Sequence, residues 1–178
     1  MDIRLASTVD APQIADIYRP YVEDTVVSFE SDAPSEAEMA QRIAGVLERA
    51  PWLVMEEQGR IVAYAYACSH RDRAAYRWSV DTSVYVRAGH HRCGLGRALY
   101  TELLTRLVQF GYYTAYAGIS LPNAASVGLH ESFGFEPVGI YKKAGYKFGA
   151  WHDVGWWQRP LRSYTVSPEL PRHQAQHA

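Results

Sequence analysis

Residues Ser83 to Leu104 read SVYVRAGHHRCGLGRALYTELL. Alternation before Arg87 predicts a strand. From Gly94 to Gln109, Leu99, Leu103 and Leu107 with Tyr100, Leu104 and Val108 predict a helix with a wide apolar half. A strand therefore runs through a glycine-rich loop straight into a helix. Free backbone N–H groups at such a helix start, with the positive end of its dipole, form a site for phosphate, and here the donors would be Arg92 to Arg97. No Gly-Lys-Ser/Thr follows, and Leu99 stands where a dinucleotide fingerprint has its third glycine. A tight turn that needs two glycines would explain the loop alone equally well.

Upstream, Trp78, Val80, Thr82, Val84 and Val86 face one way along the strand, and Ser79, Asp81, Ser83 and Tyr85 face the other. An acid on the polar face of a central strand points either to chemistry or to a strand-end ion pair with an arginine. Ile3 to Leu5 predicts a first strand, and Asp10 with Pro12 starts a helix carrying Ile14, Ile17, Tyr18 and Tyr21. Thr25 to Pro34 is a loop bearing Phe29, and Ser35 with Glu38 forms a capping box for a second helix ending near Pro51. Trp52–Glu56 and Arg60–Ala67, joined by Gln58-Gly59, predict a hairpin. Downstream come a strand at Tyr113–Ile119, a short helix opened by Pro122-Asn123 and closed at Gly134, and strands at Glu136–Lys143 and Gly149–Leu161. Residues 164–178 are expected to be a disordered tail. This order predicts a single α/β domain over residues 1–163 with a mixed central sheet, its parallel pair formed around residues 78 to 119.

Composition narrows the function. The 178 residues are 48% apolar, enough for one sizeable core, and 18 basic against 19 acidic residues give a formal charge of -1, which disfavours nucleic acid and anionic membrane as partners. The longest apolar run, Ile61 to Cys68, is far short of a membrane span. Cys68 and Cys93 form neither a disulfide framework nor a zinc spacing, and the start of the chain does not read as a signal peptide, so a cytoplasmic protein without metal is expected.

The run Val84-Tyr85-Val86-Arg87, then His91-Arg-Cys-Gly-Leu-Gly-Arg97, then an apolar helix resembles the acetyl-CoA motif of the GNAT superfamily of N-acetyltransferases, with His91 where glutamine or arginine is usual. Leu121 to Phe135, LPNAASVGLHESFGF, is similar to that superfamily's second cofactor segment. Ala144 to Gln158 and Pro51-Trp52-Leu53-Val54 look like one subfamily, the phosphinothricin and methionine sulfoximine N-acetyltransferases, and the resemblance covers about Ile3 to Leu161.

The resemblance implies a sheet splayed between its fourth and fifth strands with the pantetheine arm of acetyl-CoA in the split. Backbone groups of Val84, Tyr85 and Val86 would meet that arm, Arg92, Cys93, Gly94, Leu95, Gly96 and Arg97 the pyrophosphate, and Asn123 the thiol end. It implies direct acetyl transfer in a ternary complex to the amine of a small amino-acid-like substrate, an activity tied to herbicide resistance. The same fold would also serve another small amine or a peptide N-terminus, or a non-catalytic CoA sensor. An alkyl amine with a pKa of about 10.4 must lose a proton before it can attack, so a base is needed. The resemblance assigns that role to Asp81, a short acid where glutamate is commoner and so expected to work through a water. It makes His130 the donor to the departing thiolate; seven residues past Asn123, it lies about 10 Å away on the same helix face. Arg71 and Arg73 are expected to grip the substrate's anionic groups, with Phe29, Tyr76 and Trp78 as the apolar wall. Lys147 and Trp151 fall where a homodimer partner would complete the pocket. Cys93 needs no nucleophilic role, and His70, His90, His91, His152, His173 and His177 have no metal-ligand spacing.

Overall fold

A computed structural model describes residues 1–172. The seven strands are β1 (Asp2–Leu5), β2 (Trp52–Glu57), β3 (Arg60–Ser69), β4 (Ser79–Val86), β5 (Thr114–Leu121), β6 (Glu136–Lys147) and β7 (Ala150–Pro160). The helices are α1 (Ala11–Glu23), α2 (Glu36–Leu47), α3 (Leu95–Phe110) and α4 (Ala124–Ser132). One sheet has the order β1-β2-β3-β4-β5-β7-β6, and among the described residues its only parallel pair is β4 with β5, as the strand–helix–strand reading predicts.

That pairing is short. Ser79, Val80 and Asp81 match Thr114, Ala115 and Tyr116, and then the strands part. β3 stays in register with β4 up to Val86, and β7 with β5 up to Leu121, so each strand is held from its far side while a wedge opens between them.

The two sheet faces carry separate cores. One packs Leu99, Leu103 and Leu107 of α3 against Val80, Ala115 and Ala117. The other packs Ile14, Ile17, Met39 and Ile43 of α1 and α2 against Val54, Ile61 and Tyr64. Tyr85 joins the second through ring contacts with Tyr18, Tyr21 and Tyr64, each 5.0–5.1 Å between centroids.

Local signals hold where they are self-contained. The Ser35–Glu38 capping box forms, with Ser35 N–H donating to Glu38 Oε2 at 2.7 Å and Glu38 N–H to Ser35 Oγ at 3.2 Å. Gln58 and Gly59, both at positive φ, turn the β2–β3 hairpin. Asp10 sits at the start of α1 but does not cap it. Its carboxylate accepts the Ser7 N–H and pairs with both terminal nitrogens of Arg4 at 2.8 Å, tying β1 to the helix entry.

On β7, Trp151 is exposed, Trp156 is half-buried and Trp157 belongs to the core, and edge strand β6 leaves Val138, Ile140 and Tyr141 in the open. One expectation about the tail needs correction. Residues 164–172, expected as part of a disordered tail, have neither helix nor strand, yet they lie along the domain. The Trp78 indole donates to the Glu169 carbonyl at 2.7 Å, and Arg172 N–H to the Phe110 carbonyl at 2.8 Å. Residues 173–178, with His173 and His177, lie outside the described residues.

The Arg4 guanidinium holds the Asp10 carboxyl below its ordinary pKa, so the stability this contributes is present above the unfolded carboxylate range and fades as pH falls through the folded value. Asp10→Ala is expected to cost about 1–3 kcal/mol at pH 7, since a charge partner and a buried acceptor are lost together. Urea denaturation at pH 7 and pH 3 should show the difference from wild type shrinking at the lower pH.

Candidate active site

The wedge between β4 and β5 is lined by Thr82, Ser83, Val84 and Tyr85 on one side and Ala117 to Ser120 on the other, with Asn123, Ser126 and His130 of the α4 segment and Val27 of the α1–α2 loop. A hydrogen-bonded chain ties its apex. Thr82 Oγ1 donates to the Tyr116 carbonyl at 3.1 Å, and the Tyr100 hydroxyl donates to Thr82 Oγ1 at 3.0 Å and meets His130 Nε2 at 2.7 Å. His130 Nδ1 donates to the Ser126 carbonyl at 2.7 Å. That carbonyl can only accept, and burial lowers the His130 pKa, so the ring is neutral with Nε2 as acceptor; the single Tyr100 proton is shared between Nε2 and Thr82. His130 thus lines the wedge as expected, but it is 3% exposed and both its nitrogens are bonded.

The backbone edge of β4 beyond the apex is only partly open. Arg87 N–H donates to Val62 of β3, which by strand alternation turns the backbone of Val86 and Val84 toward the wedge and that of Tyr85 toward β3. The Tyr21 hydroxyl bridges Val86, donating to its carbonyl at 2.7 Å and accepting its N–H at 3.2 Å, and also meets His91 Nε2 at 3.1 Å. Of the three residues expected to offer backbone groups, Val84 is left to do so, Tyr85 pairs with Tyr64, and Val86 is occupied by Tyr21.

At the mouth, Gly94 caps α3 at φ +78, a conformation L side chains rarely adopt, while Gly96 has no such constraint. A Cβ on Gly96 would meet Leu129 and Val84 at 3.6 and 3.8 Å, ordinary contacts. Packing within the chain does not demand glycine at 96. Leu95 is buried and anchors the loop, and Arg92 and Cys93 are exposed. The Arg97 guanidinium donates to Ser132 Oγ at 3.0 Å and lies over Phe133, so this side chain joins α3 to α4. Asn123 caps α4 through its Oδ1, which accepts the Ser126 N–H.

Asp81 closes the paired segment on the opposite face from Thr82. Its Oδ1 is 2.6 Å from Nδ1 of His70, a histidine with no metal-ligand spacing and no local sequence signal for this partner. The antiparallel strands before and after the 70–78 loop bring the two together. Burial raises the Asp81 pKa and the His70 hydrogen bond opposes that rise. The His70 ring stacks on Tyr116 at 4.2 Å and meets the edges of Tyr76 and Trp156 at 5.9 Å.

The expected substrate residues separate. The Arg71 guanidinium lies 5.7 Å over Trp156, beside the Asp81–His70 pair, and half-exposed Tyr76 shares that neighbourhood. Arg73 opens on a cavity of about 580 Å³ with Arg49, Arg77 and Leu170, which Arg71 also borders and which includes neither Asp81 nor His130. Trp78 is turned to the tail. Phe29 covers Gly145 of β6, where a Cβ would run into its ring, and Lys147 Nζ donates to the Val22 and Ser28 carbonyls, pinning the α1–α2 loop to the β6–β7 hairpin. The loop residue that reaches the wedge is therefore Val27. Trp151 is exposed on β7, and among the described residues no cluster of His, Cys, Asp or Glu could hold a metal.

Residues 3–156 match the family model for the acetyltransferase (GNAT) domain. This chain belongs to the GNAT family of acetyltransferases. It is 41% identical to a phosphinothricin N-acetyltransferase of Streptomyces viridochromogenes, over 89% of this chain and 87% of that protein. It is 35% identical to an L-methionine sulfoximine/L-methionine sulfone acetyltransferase of Salmonella typhimurium, over 93% and 98% of the two chains. Among solved structures, a phosphinothricin acetyltransferase from Sinorhizobium meliloti in complex with acetyl-CoA aligns with a TM-score of 0.89 at 36% identity, covering 97% of this chain and 94% of that one. The GNAT wedge is thus the β4–β5 split, and the chain is an N-acetyltransferase by family.

Tyr100→Phe removes the hydroxyl that joins Thr82 to His130 and strands the buried Nε2. A loss of about 1–3 kcal/mol in urea denaturation is expected.

Proposed function

We propose that the protein transfers acetyl from acetyl-CoA to the free amino group of a small amino-acid-like substrate of the phosphinothricin or methionine sulfoximine type, directly within a ternary complex. The observation that carries this reading is the parting of β4 and β5 immediately beyond Asp81, which sets an ionisable pair at the apex of an open wedge. The residues around the wedge fit acetyl-CoA. Val84 supplies an open strand edge for an extended amide-bearing arm, Gly96 leaves room beside it, and the backbone N–H groups from Arg92 to Arg97 at the start of α3 suit a pyrophosphate.

Relatives named for phosphinothricin and methionine sulfoximine support the substrate class, and Arg71 gives it a physical basis. A guanidinium beside an aromatic ring, next to a carboxylate–imidazole pair, suits a zwitterion whose carboxylate it grips and whose amine it presents. His130 would protonate the departing sulfur by releasing its Nδ1–H from Ser126. The exposed apolar residues of edge strand β6, Val138, Ile140 and Tyr141, suit a second copy of the chain, so a homodimer is part of the proposal.

Release of CoA thiol should be measured with phosphinothricin, methionine sulfoximine, the common amino acids and simple amines. Rapid release confined to amines that carry an α-carboxylate is the expected result; equal rates with simple amines would discard the substrate class and keep the family. Gly96→Val should raise the KM for acetyl-CoA at least tenfold with the fold intact, and an unchanged KM would remove the loop from the cofactor site. His130→Ala should slow turnover by the 10²- to 10⁴-fold typical of acid–base groups, while near-normal turnover would assign this residue to packing.

A further inference from the structure

We infer that His70 is the group that takes the proton from the substrate amine, with Asp81 a positioning residue that acts through it. The inference rests on the acetyltransferase reading and replaces the water relay expected between Asp81 and the amine. Asp81 is the last paired residue of β4, and its short side chain ends against the imidazole: Oδ1 is 2.6 Å from His70 Nδ1. A carboxylate oxygen can only accept, so Nδ1 carries the proton and the Nε2 lone pair is left exposed at the ring's far side.

The ring cannot easily turn away. Tyr116 stacks on one face at 4.2 Å, and Tyr76 and Trp156 stand edge-on at 5.9 Å, so elements before β4, within β5 and within β7 all hold it. Nε2 has no hydrogen-bond partner among the described residues, whereas both nitrogens of His130 have one. The side chains of His70 and Asp81 remain 13% and 25% exposed, so a ligand can reach the pair. The ionisable groups facing it are few: Arg71 from the same loop, Tyr76, Tyr116 from β5, and Cys68 of β3 opposite Asp81, whose thiol is pushed up to about 11 mainly by burial. A substrate carboxylate at Arg71 places the α-amine, one carbon away, on the side of His70.

The step balances with no further reagent. The ammonium gives one proton to Nε2. The freed nitrogen pair forms the C–N bond to the thioester carbonyl carbon as the C–S bond breaks with its pair on sulfur. The second proton lost by nitrogen ends on sulfur, giving amide and free thiol, and Nε2 returns its proton to water. Asp81 steadies the imidazolium in between.

His70→Asn keeps an N–H donor for Asp81 in the place of Nδ1 and removes Nε2. With the wild-type substrate, kcat is expected to fall 10²- to 10⁴-fold at pH 7, with an unchanged KM for acetyl-CoA and an unchanged melting temperature. The variant should regain rate as pH rises toward the amine's own pKa, so the low-pH limb of the wild-type profile gives way to a steadily climbing one. A variant with wild-type kcat and the wild-type limb overturns the inference. Nitrogen-15 spectra of the wild-type imidazole give a readout independent of turnover: the neutral ring should carry its proton on Nδ1, shifting toward a mixture in Asp81→Asn, and an Nε2–H ring in the wild type overturns the assignment. A wild type that releases thiol with none of the amines overturns the acetyltransferase reading itself, whereas a wild type that turns over beside an undamaged variant removes His70 alone.

Discussion

Everything that gives this molecule a site follows from how little of β4 touches β5. Their pairing covers Ser79–Asp81 and Thr114–Tyr116, after which Thr82 spends its hydroxyl on the Tyr116 carbonyl and the strands diverge. A gap in the middle of a sheet exposes backbone groups that cost free energy unless bonded. Here they are accounted for in different ways: by Thr82 at the apex, by Tyr21 at Val86, and at Val84 by leaving an edge that a ligand can pair. Tyr100 and His130 brace the apex from the α3–α4 side, so the split is held open by packing on both faces.

The two faces of β4 then do different work. Thr82 faces the Tyr100–His130 chain, which is dry and fully bonded, while Asp81 faces the rings of His70, Tyr116 and Trp156 together with Arg71. Period-two alternation places these environments on adjacent residues of one strand. Burial raises the pKa of the Asp81 carboxyl, and the imidazole hydrogen-bonded to it at 2.6 Å opposes that rise. The far half of the sheet serves the same end by anchoring loops, since Lys147 fixes the α1–α2 loop by two carbonyls and Gly145 admits the Phe29 ring, which brings Val27 to the wedge.

Much of this was legible in local patterns. The capping box at Ser35–Glu38, the Gln58-Gly59 turn, the Leu99–Leu103–Leu107 stripe and the strand entering a glycine-led helix depend on residues within a few positions of one another, so their physics is contained in a short window. The strand–helix–strand unit dictated the parallel pair, and the paired motifs at Gly94–Gly96 and Asn123 identified the family. The acid on the polar face of β4 stood out because a charged side chain in a central strand needs a partner.

What the sequence by itself determined, through periodicity and short-range chemistry, is the order of elements, the glycine-led start of α3 and an acid on the polar face of β4; the family and a catalytic role for Asp81 were implied by resemblance to known motifs. The tertiary structure alone decided the partners. His70 lies eleven residues from Asp81 and reaches it because β3 and β4 are antiparallel neighbours; of Arg71 and Arg73, two residues apart, only Arg71 lies over Trp156, though both border the neighbouring cavity; Trp78 turns to the tail; Tyr21 takes the backbone of Val86; and His130 has both nitrogens bound. Which donor meets which acceptor depends on strand register and packing across the sheet, and no spacing along the chain encodes those distances.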